Sequence, residues 1–350
     1  MNRWNMMKRI LPLLALMALL LSACGRADLS ALNPQGPVAK DQYDLMIIAI
    51  VIMTVVCVAV FAIWFYVLFR FRRRKGDKTI PKQIEGNHKL EIIWTVVPIL
   101  LLVILVVPTV QQVFGQAKDY SNDPNALQVK VTSHLYWWEF EYPQLGITTA
   151  QELVVPSDKK ISFELTTADV KHSFWIPAIG GKLDTNPGMS NRFYLEFPKE
   201  GVYRGKCAEL CGPSHGLMEF KAKSVSPAEF EQWQAAMKAP AVMPADAHIA
   251  EVFQSQCLAC HAVGDQGESS APNLTGIGGR QTVAGILFNS DVVADPEKED
   301  MTTEENLKSW ISDTQKHKPG NMMPSGSDMG LTQEEIDGIA KYLAGYKLDY

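Results

Sequence analysis

Between Cys207 and Met218 the sequence reads CAELCGPSHGLM, which places two thiols, an imidazole and a thioether in one short segment. The order C-x-x-x-C-x-x-x-H-x-x-M, from Cys207 through Cys211 and His215 to Met218, supplies the soft sulfur and imidazole donors that copper prefers among available metals. A mononuclear blue-copper site needs only one thiolate. Two thiolates at this spacing can bridge two copper ions, provided a second histidine comes from elsewhere, and His172 in Val170-Lys171-His172-Ser173-Phe174 is offered by a loop after a strand-like run. A Cys207–Cys211 disulfide is the competing reading for an exported chain, but it explains neither His215 nor Met218. Farther on, Cys257-Leu258-Ala259-Cys260-His261 has the C-x-x-C-H spacing of covalent c-type haem. Thioethers at Cys257 and Cys260 would fix the porphyrin, and His261 follows at once as an axial ligand. A methionine opposite would give a haem that transfers electrons at a raised potential.

That methionine lies in Gly320-Asn321-Met322-Met323-Pro324, a loop free of helical restraint. Cytochrome c domains are similar here, with the ligand directly before a proline, so the resemblance favours Met323 over Met322. Ala271-Pro272-Asn273-Leu274 resembles the loop whose proline carbonyl accepts the ligand histidine's ring proton and so fixes its tautomer.

The elements that position these residues begin with an export signal. Lys8 and Arg9 precede an apolar run from Ile10 to Leu21, and Leu21-Ser22-Ala23-Cys24 resembles the bacterial lipoprotein box, which would make Cys24 the lipidated first residue of the mature chain. Leu45 to Phe69 and Ile92 to Val110 are each uncharged and long enough to cross a hydrocarbon core of about 30 Å. Arg70, Arg72, Arg73, Arg74 and Lys75, then Lys78, Lys82 and Lys89, mark the loop between them as cytoplasmic. Both chain ends are then outside, which agrees with an exported Cys24. Cys57, inside the first span, reads as inert packing.

Beyond Gln116 the apolar residues alternate: Leu127, Val129, Val131; Ile161, Phe163, Leu165; Phe193, Leu195, Phe197. Short alternating runs separated by Pro, Gly, Asn and Asp predict a β-sandwich or barrel. Ser226 to Lys238 predicts a capped helix, with Pro227 at the first position and Glu229 closing a capping box. Ala239 to Pro244 reads as a linker, and helical patterns follow, clearest at Leu307 to Ile311 and Glu334 to Tyr346. The chain of 350 residues, 47% hydrophobic, therefore divides into a signal (1–23), a tether (24–44), a two-helix transmembrane hairpin (45–117), an all-β domain (118–240) and an all-α haem domain (241–350). A net charge of −5 without a basic, aromatic-interleaved stripe excludes a nucleic-acid partner.

DVKHSF and CAELCGPSHGLM on a strand-rich domain behind a two-span hairpin resemble subunit II of cytochrome c oxidase, and the fused haem domain is similar to that of the bacterial caa-type haem-copper oxidases. The resemblance covers essentially the whole chain. It implies a cupredoxin-like Greek-key fold holding dinuclear copper, CuA. Cys207 and Cys211 would bridge the two coppers, His172 and His215 would ligate one each, and Met218 and the carbonyl of Glu209 would complete the spheres. It also implies magnesium on the Glu209 side chain at the contact with subunit I, and Glu91 at the mouth of a proton channel. Electrons would arrive through an aromatic patch, Tyr136-Trp137-Trp138, where Tyr136 replaces the outermost tryptophan of the mitochondrial forms; Met189 likewise stands where an arginine is expected. The role implied is that of an electron-accepting, membrane-bound subunit on the outer face of the bacterial cell membrane. It would take electrons from a donor such as a cytochrome c or upstream respiratory complex and pass them from haem c to CuA and on to subunit I of a proton-translocating oxidase. No oxygen-reducing or other catalytic site would lie on this chain. A membrane-anchored copper chaperone or sensor would have no use for haem c, Glu91 or a second span, and a free-standing electron shuttle would leave Glu91 and Glu209 unexplained.

Overall fold

Alternation along the soluble strands is realised as one-sided burial, from which the middle of the molecule follows. The computed structural model describes residues 26–73, 75–76, 80, 82–293 and 301–350. The signal segment and the lipidation site Cys24 lie outside them. Two helices come first, α1 (Pro37–Arg70) and α2 (His88–Gln116). Residues 37–44, expected in the tether, are helical because Pro37 at the first position presets the helical φ and gives up only an N–H that would lack a partner there. The outer ends are tied together: Gln42 donates to the Gln116 side chain at 3.0 Å and Gln112 to the carbonyl of Asp41 at 2.7 Å. Both helices are long and apolar enough to cross a membrane.

Ten strands build two facing five-stranded sheets: β1 (Leu127–His134), β2 (Trp137–Tyr142), β3 (Ile147–Ala150), β4 (Glu152–Pro156), β5 (Lys160–Thr167), β6 (His172–Trp175), β7 (Leu183–Thr185), β8 (Asn191–Glu196), β9 (Gly201–Cys207) and β10 (Glu219–Val225). Their orders are β3-β2-β1-β5-β8 and β4-β10-β9-β6-β7. In β1 alternate residues are buried along its whole length, and Val131 pairs with Phe140 on one side and Leu165 on the other. Between the sheets Trp138 meets Phe174 and Phe220 at centroid distances of 5.4 and 5.5 Å, and Phe174 stacks on Phe220 at 4.8 Å. Such ring pairs contribute about 0.5–1.5 kcal/mol each beyond their area. The register Trp175↔Lys206, Phe174↔Cys207 matters most for function. The strands are antiparallel, so β6 begins at the end of the sandwich where β9 finishes, and His172 and the loop after Cys207 are neighbours.

The expected helix after β10 is α3 (Pro227–Met237), with the Ser226–Glu229 capping box in place. After the linker the C-terminal domain packs α4 (Ala247–Val252), α5 (Thr303–Ser312), α6 (Thr314–His317) and α7 (Gln333–Gly345) around Phe253, Ile339 and Leu343. Two minimal strand pairings, 262–263 with 266–267 and 282–283 with 287–288, join them.

This domain is docked on the sandwich through buried cations aimed at main-chain carbonyls. Arg280 donates to Ala150 O at 2.9 Å, and Lys221 of the sandwich returns the contact to Gly285 O at 3.2 Å. Phe288 lies beneath both Arg204 and Lys221. Glu219 balances those cations, with Arg204 and Lys206 each at 2.7 Å. Burial alone would raise the Glu219 carboxyl, but the Lys221 charge and the hydrogen bonds from Lys206 and Arg204 outweigh it and bring the pKa to about 2. Because the folded value lies below the usual 4.5, the stabilisation is complete above pH 4.5 and is lost as pH falls towards 2. Glu219→Gln should cost about 3 kcal/mol at neutral pH by leaving three cations uncompensated. In thermal unfolding of the full chain the gap to the parent protein should narrow below pH 4.5. A gap independent of pH would show that the carboxylate charge is not what matters.

Candidate functional site

Cys207 ends β9, and the chain then turns through 208–214 into a single helical turn, His215–Leu217, before Met218 and β10. The turn is drawn tight by Cys207 N donating to Met218 O at 3.0 Å, while Ala208 N donates to Ser173 O at 3.0 Å and fastens the segment to the strand of His172. The sulfurs of Cys207 and Cys211 lie 3.9 Å apart. His172 Nδ1 is 3.8 Å from Cys207 Sγ, His215 Nδ1 is 3.6 Å from Cys211 Sγ, and Met218 Sδ is 4.0 Å from Cys211 Sγ. The Glu209 carbonyl is 3.2 Å from Cys207 Sγ. All six expected ligands therefore converge, and both cysteines are free thiols. Among the described residues, His172, Cys207 and Cys211 form the group whose ligand atoms all lie within 4.8 Å of one another.

The electrostatics suit a cation between the sulfurs. The hydrogen bond with Cys211 holds the Cys207 thiol low, and the same contact pushes Cys211 far up, so the pair keeps one proton. Two adjacent thiolates repel; a metal ion that coordinates both removes that proton. His172 is fully buried. Burial lowers its pKa, but Cys207 and Asp169 outweigh it and the net shift is upward. Asp169 was missed in the sequence. Its Oδ1 holds His172 Nε2 at 2.8 Å, which turns Nδ1 to the sulfur, and its Oδ2 accepts Leu135 N at 2.8 Å. The available signal was a carboxylate three residues before the histidine in DVKH.

The second site is a cavity of about 300 Å³ walled by Cys257, Cys260, His261, Trp310 and Met323, with Phe253, Ile339 and Leu343 behind. His261 Nδ1 lies 2.7 Å from Pro272 O, as expected, so Nε2 is the nitrogen left for a metal. Burial lowers its pKa, and the Pro272 carbonyl opposes this only in part, so the ring is kept neutral as a ligand should be. Met323 is held at both main-chain groups, its N–H by Asn321 Oδ1 at 2.9 Å and its carbonyl by Thr314 Oγ1 at 2.7 Å, while Trp310 Nε1 donates to its sulfur at 3.2 Å. Met322 reaches the rim but is 83% exposed.

The sandwich contributes Leu135, Tyr136, Trp137 and Gln151 to the wall of that cavity. The aromatic patch thus divides. Tyr136 and Trp137 face the cavity, whereas Trp138 is wholly buried on the copper side, its ring 6.2 Å from that of His172. Gly212 shows how close the two sites come, since a Cβ there would fall on the Tyr136 hydroxyl and its φ of +133° disfavours any other residue. Glu91 lies far away in the first turn of α2, 3.7 Å from His88 Nδ1.

Residues 30–111 match the family described as Cytochrome C oxidase subunit II, transmembrane domain; residues 144–225 match its periplasmic domain; residues 247–347 match Cytochrome c. The chain is 43% identical over 356 residues to cytochrome c oxidase subunit 2 of Alkalihalophilus pseudofirmus, spanning 99% of both chains. It is 46% identical over 364 residues to that of Bacillus subtilis, spanning 97% of this chain and 98% of the relative. The chain belongs to the cytochrome c oxidase subunit 2 family. The crystal structure of the periplasmic domain of subunit II of cytochrome oxidase of Bradyrhizobium japonicum is 32% identical, with a TM-score of 0.31, over 31% of this chain and 91% of that one.

A cytochrome c oxidase subunit 2 with its own cytochrome c domain serves electron transfer within an oxidoreductase complex, beside other oxidase subunits. It is a membrane protein with an outer-face domain, copper and haem c are its implied groups, and the Cys/His cluster fits CuA.

Proposed function

We propose that this chain is the electron-accepting subunit of a terminal oxidase, with its haem site and its copper site joined through Tyr136. When bound, haem c and dinuclear copper would supply one-electron chemistry between a donor such as a cytochrome c and subunit I, where oxygen would be reduced. Cys207 and Cys211 would bridge the coppers, with His172, His215, Met218 and the Glu209 carbonyl completing the ligands. Cys257, Cys260, His261 and Met323 would hold the haem. The observation that carries the reading is the placement of Tyr136. It forms part of the haem-side wall, and its hydroxyl lies against Gly212, which directly follows Cys211 in the loop that carries the copper ligands. The burial of Trp138 against His172 supports a contribution from that ring on the copper side.

Further parts of the reading rest on the family resemblance: magnesium at the Glu209 carboxylate, Glu91 at a proton channel of a proton-translocating complex, a lipid at Cys24, two membrane passes, and oxygen reduction confined to the partner subunit. The test is kinetic. Tyr136→Leu should slow reduction of copper by haem about ten-fold, equivalent to ~1.4 kcal/mol in barrier, while the haem itself reduces at the parent rate. Stopped-flow absorption followed at the two bands separately would show it. Copper reducing ahead of haem in the parent protein would end the proposal.

A further inference from the structure

The three residues before Asn321-Met322-Met323 are Lys318-Pro319-Gly320, and Lys318 lies in the wall of the cavity between Tyr136 and Asn321. Lys318 is 2% exposed, and its ammonium crosses to the other domain to donate to the Tyr136 carbonyl at 2.9 Å. Burial pushes its pKa down to about 7, which Glu219 opposes only in part. A lysine is costly to hold in such a place, and the single hydrogen bond to a carbonyl does not restore what water would give. Next to it, Ser214 Oγ donates to Pro319 O at 2.8 Å. Ser214 is itself wholly buried and directly precedes His215. Gly320, at φ +80°, sits where even a Cβ would be in contact with the Tyr136 hydroxyl.

These contacts join two series of short bonds. On the haem side Asn321 Nδ2 donates to Lys318 O at 2.7 Å, and Asn321 Oδ1 accepts Met323 N at 2.9 Å. On the copper side Leu135, the neighbour of Tyr136, donates to Asp169, which holds His172. From the haem-facing thioether to the copper-facing imidazole, every step is a hydrogen bond or a covalent link, and the steps between domains are made by Lys318 and Ser214. Arg280 and Lys221 already hold the domain to the sandwich. Lys318 and Ser214 add the contacts that join the Met323 loop to the loop of the copper ligands.

We infer that Lys318 and Ser214 are positioning residues that clamp the loop of the haem methionine to the loop of the copper ligands, fixing the separation across which the electron passes. The inference rests on the proposed path from haem to copper. Electron transfer weakens steeply as two centres move apart, so a clamp on their separation acts on the rate of transfer and not on either site alone.

The test uses the full chain in detergent with both sites loaded. Lys318→Met keeps the length of the side chain and removes the donor, and Ser214→Ala removes the second strut with almost no change of volume. Both variants should keep the haem and copper absorption bands and both midpoint potentials. Intramolecular transfer after rapid reduction of the haem should slow by about ten-fold in the double variant and by less in each single one. Hydrogen exchange of the same proteins without metal should show faster exchange at 135–138 and 318–323 and unchanged exchange in the β-sandwich core. A double variant that transfers at the parent rate, or one that slows only because a potential has shifted, would overturn the clamp. Copper reduced before haem in the parent protein would instead overturn the path on which the clamp rests, so the two failures are distinguishable.

Discussion

Cys207→Ser should abolish the copper centre and leave the haem in place. Cys207 is the hub of the cluster, within 3.9 Å of the Cys211 sulfur, 3.8 Å of His172 and 3.2 Å of the Glu209 carbonyl. A serine hydroxyl at this position stays protonated and offers a hard oxygen where the remaining donors are soft. It would also take away the proposed bridge between two ions, so the loss should exceed the ~10–100-fold in affinity that removing a supporting residue such as Asp169 typically costs. Metal analysis and the near-infrared band of the purified protein should both fall to background. The Soret band should be unchanged, because the haem cavity takes its covalent and axial candidates from residues 257–261 and 323. Met218→Leu makes the useful contrast. Its sulfur lies at the edge of the cluster, 4.0 Å from Cys211, so copper should remain and only the potential move. Full copper content in Cys207→Ser would remove that thiol from the ligand set and reopen the disulfide reading.

The candidate ligands were legible because coordination chemistry restricts residue type and spacing together. C-x-x-C-H admits few uses, and two cysteines followed by histidine and methionine admit few more. The strands were legible wherever one face is buried, as in β1, since alternation is then forced on the sequence. What stayed hidden depends on contacts distant along the chain. Nothing in Lys318-Pro319-Gly320 distinguishes a buried lysine from a solvated one, because its partner, Tyr136 O, is 182 positions away and is a carbonyl that every residue possesses. Arg280 and Lys221 share that character, each donating across the domain boundary to a main-chain oxygen. Tyr136-Trp137-Trp138 was recognisable as a patch but not as a partition. Only the register of β2 against β1 and the packing on Phe174 and Phe220 decide that Trp138 turns inward while its neighbours form the wall of the haem cavity. Asp169 is intermediate, since its nearness to His172 was visible whereas its second bond, to Leu135, was not.

Met323→Ala should strip the haem of its sulfur ligand, whereas Met322→Ala should change little. The two side chains are adjacent in sequence but meet different surroundings. Met322 is 83% exposed, and Met323 turns to the cavity, where Trp310 donates to its sulfur. Its backbone is held independently of that side chain by Asn321 and Thr314, so truncation removes the thioether without releasing the loop. A methionine opposite histidine raises the potential of a c-type haem. Its loss should therefore lower the midpoint by on the order of 0.1 V, a modest part of the ~0.8 V that axial ligands span. The weak near-infrared absorption of methionine-ligated ferric haem should vanish with it, while covalent attachment through Cys257 and Cys260 keeps the haem on the chain. A lower haem potential makes the haem a stronger donor, so copper reduction from the reduced haem should not slow in Met323→Ala even though the haem becomes harder to reduce. That separates it from the clamp variants, in which potentials hold and transfer slows. If Met322→Ala lost the sulfur signature and Met323→Ala kept it, the loop would have to turn over on haem binding, and the bonds from Asn321 and Thr314 could not both survive.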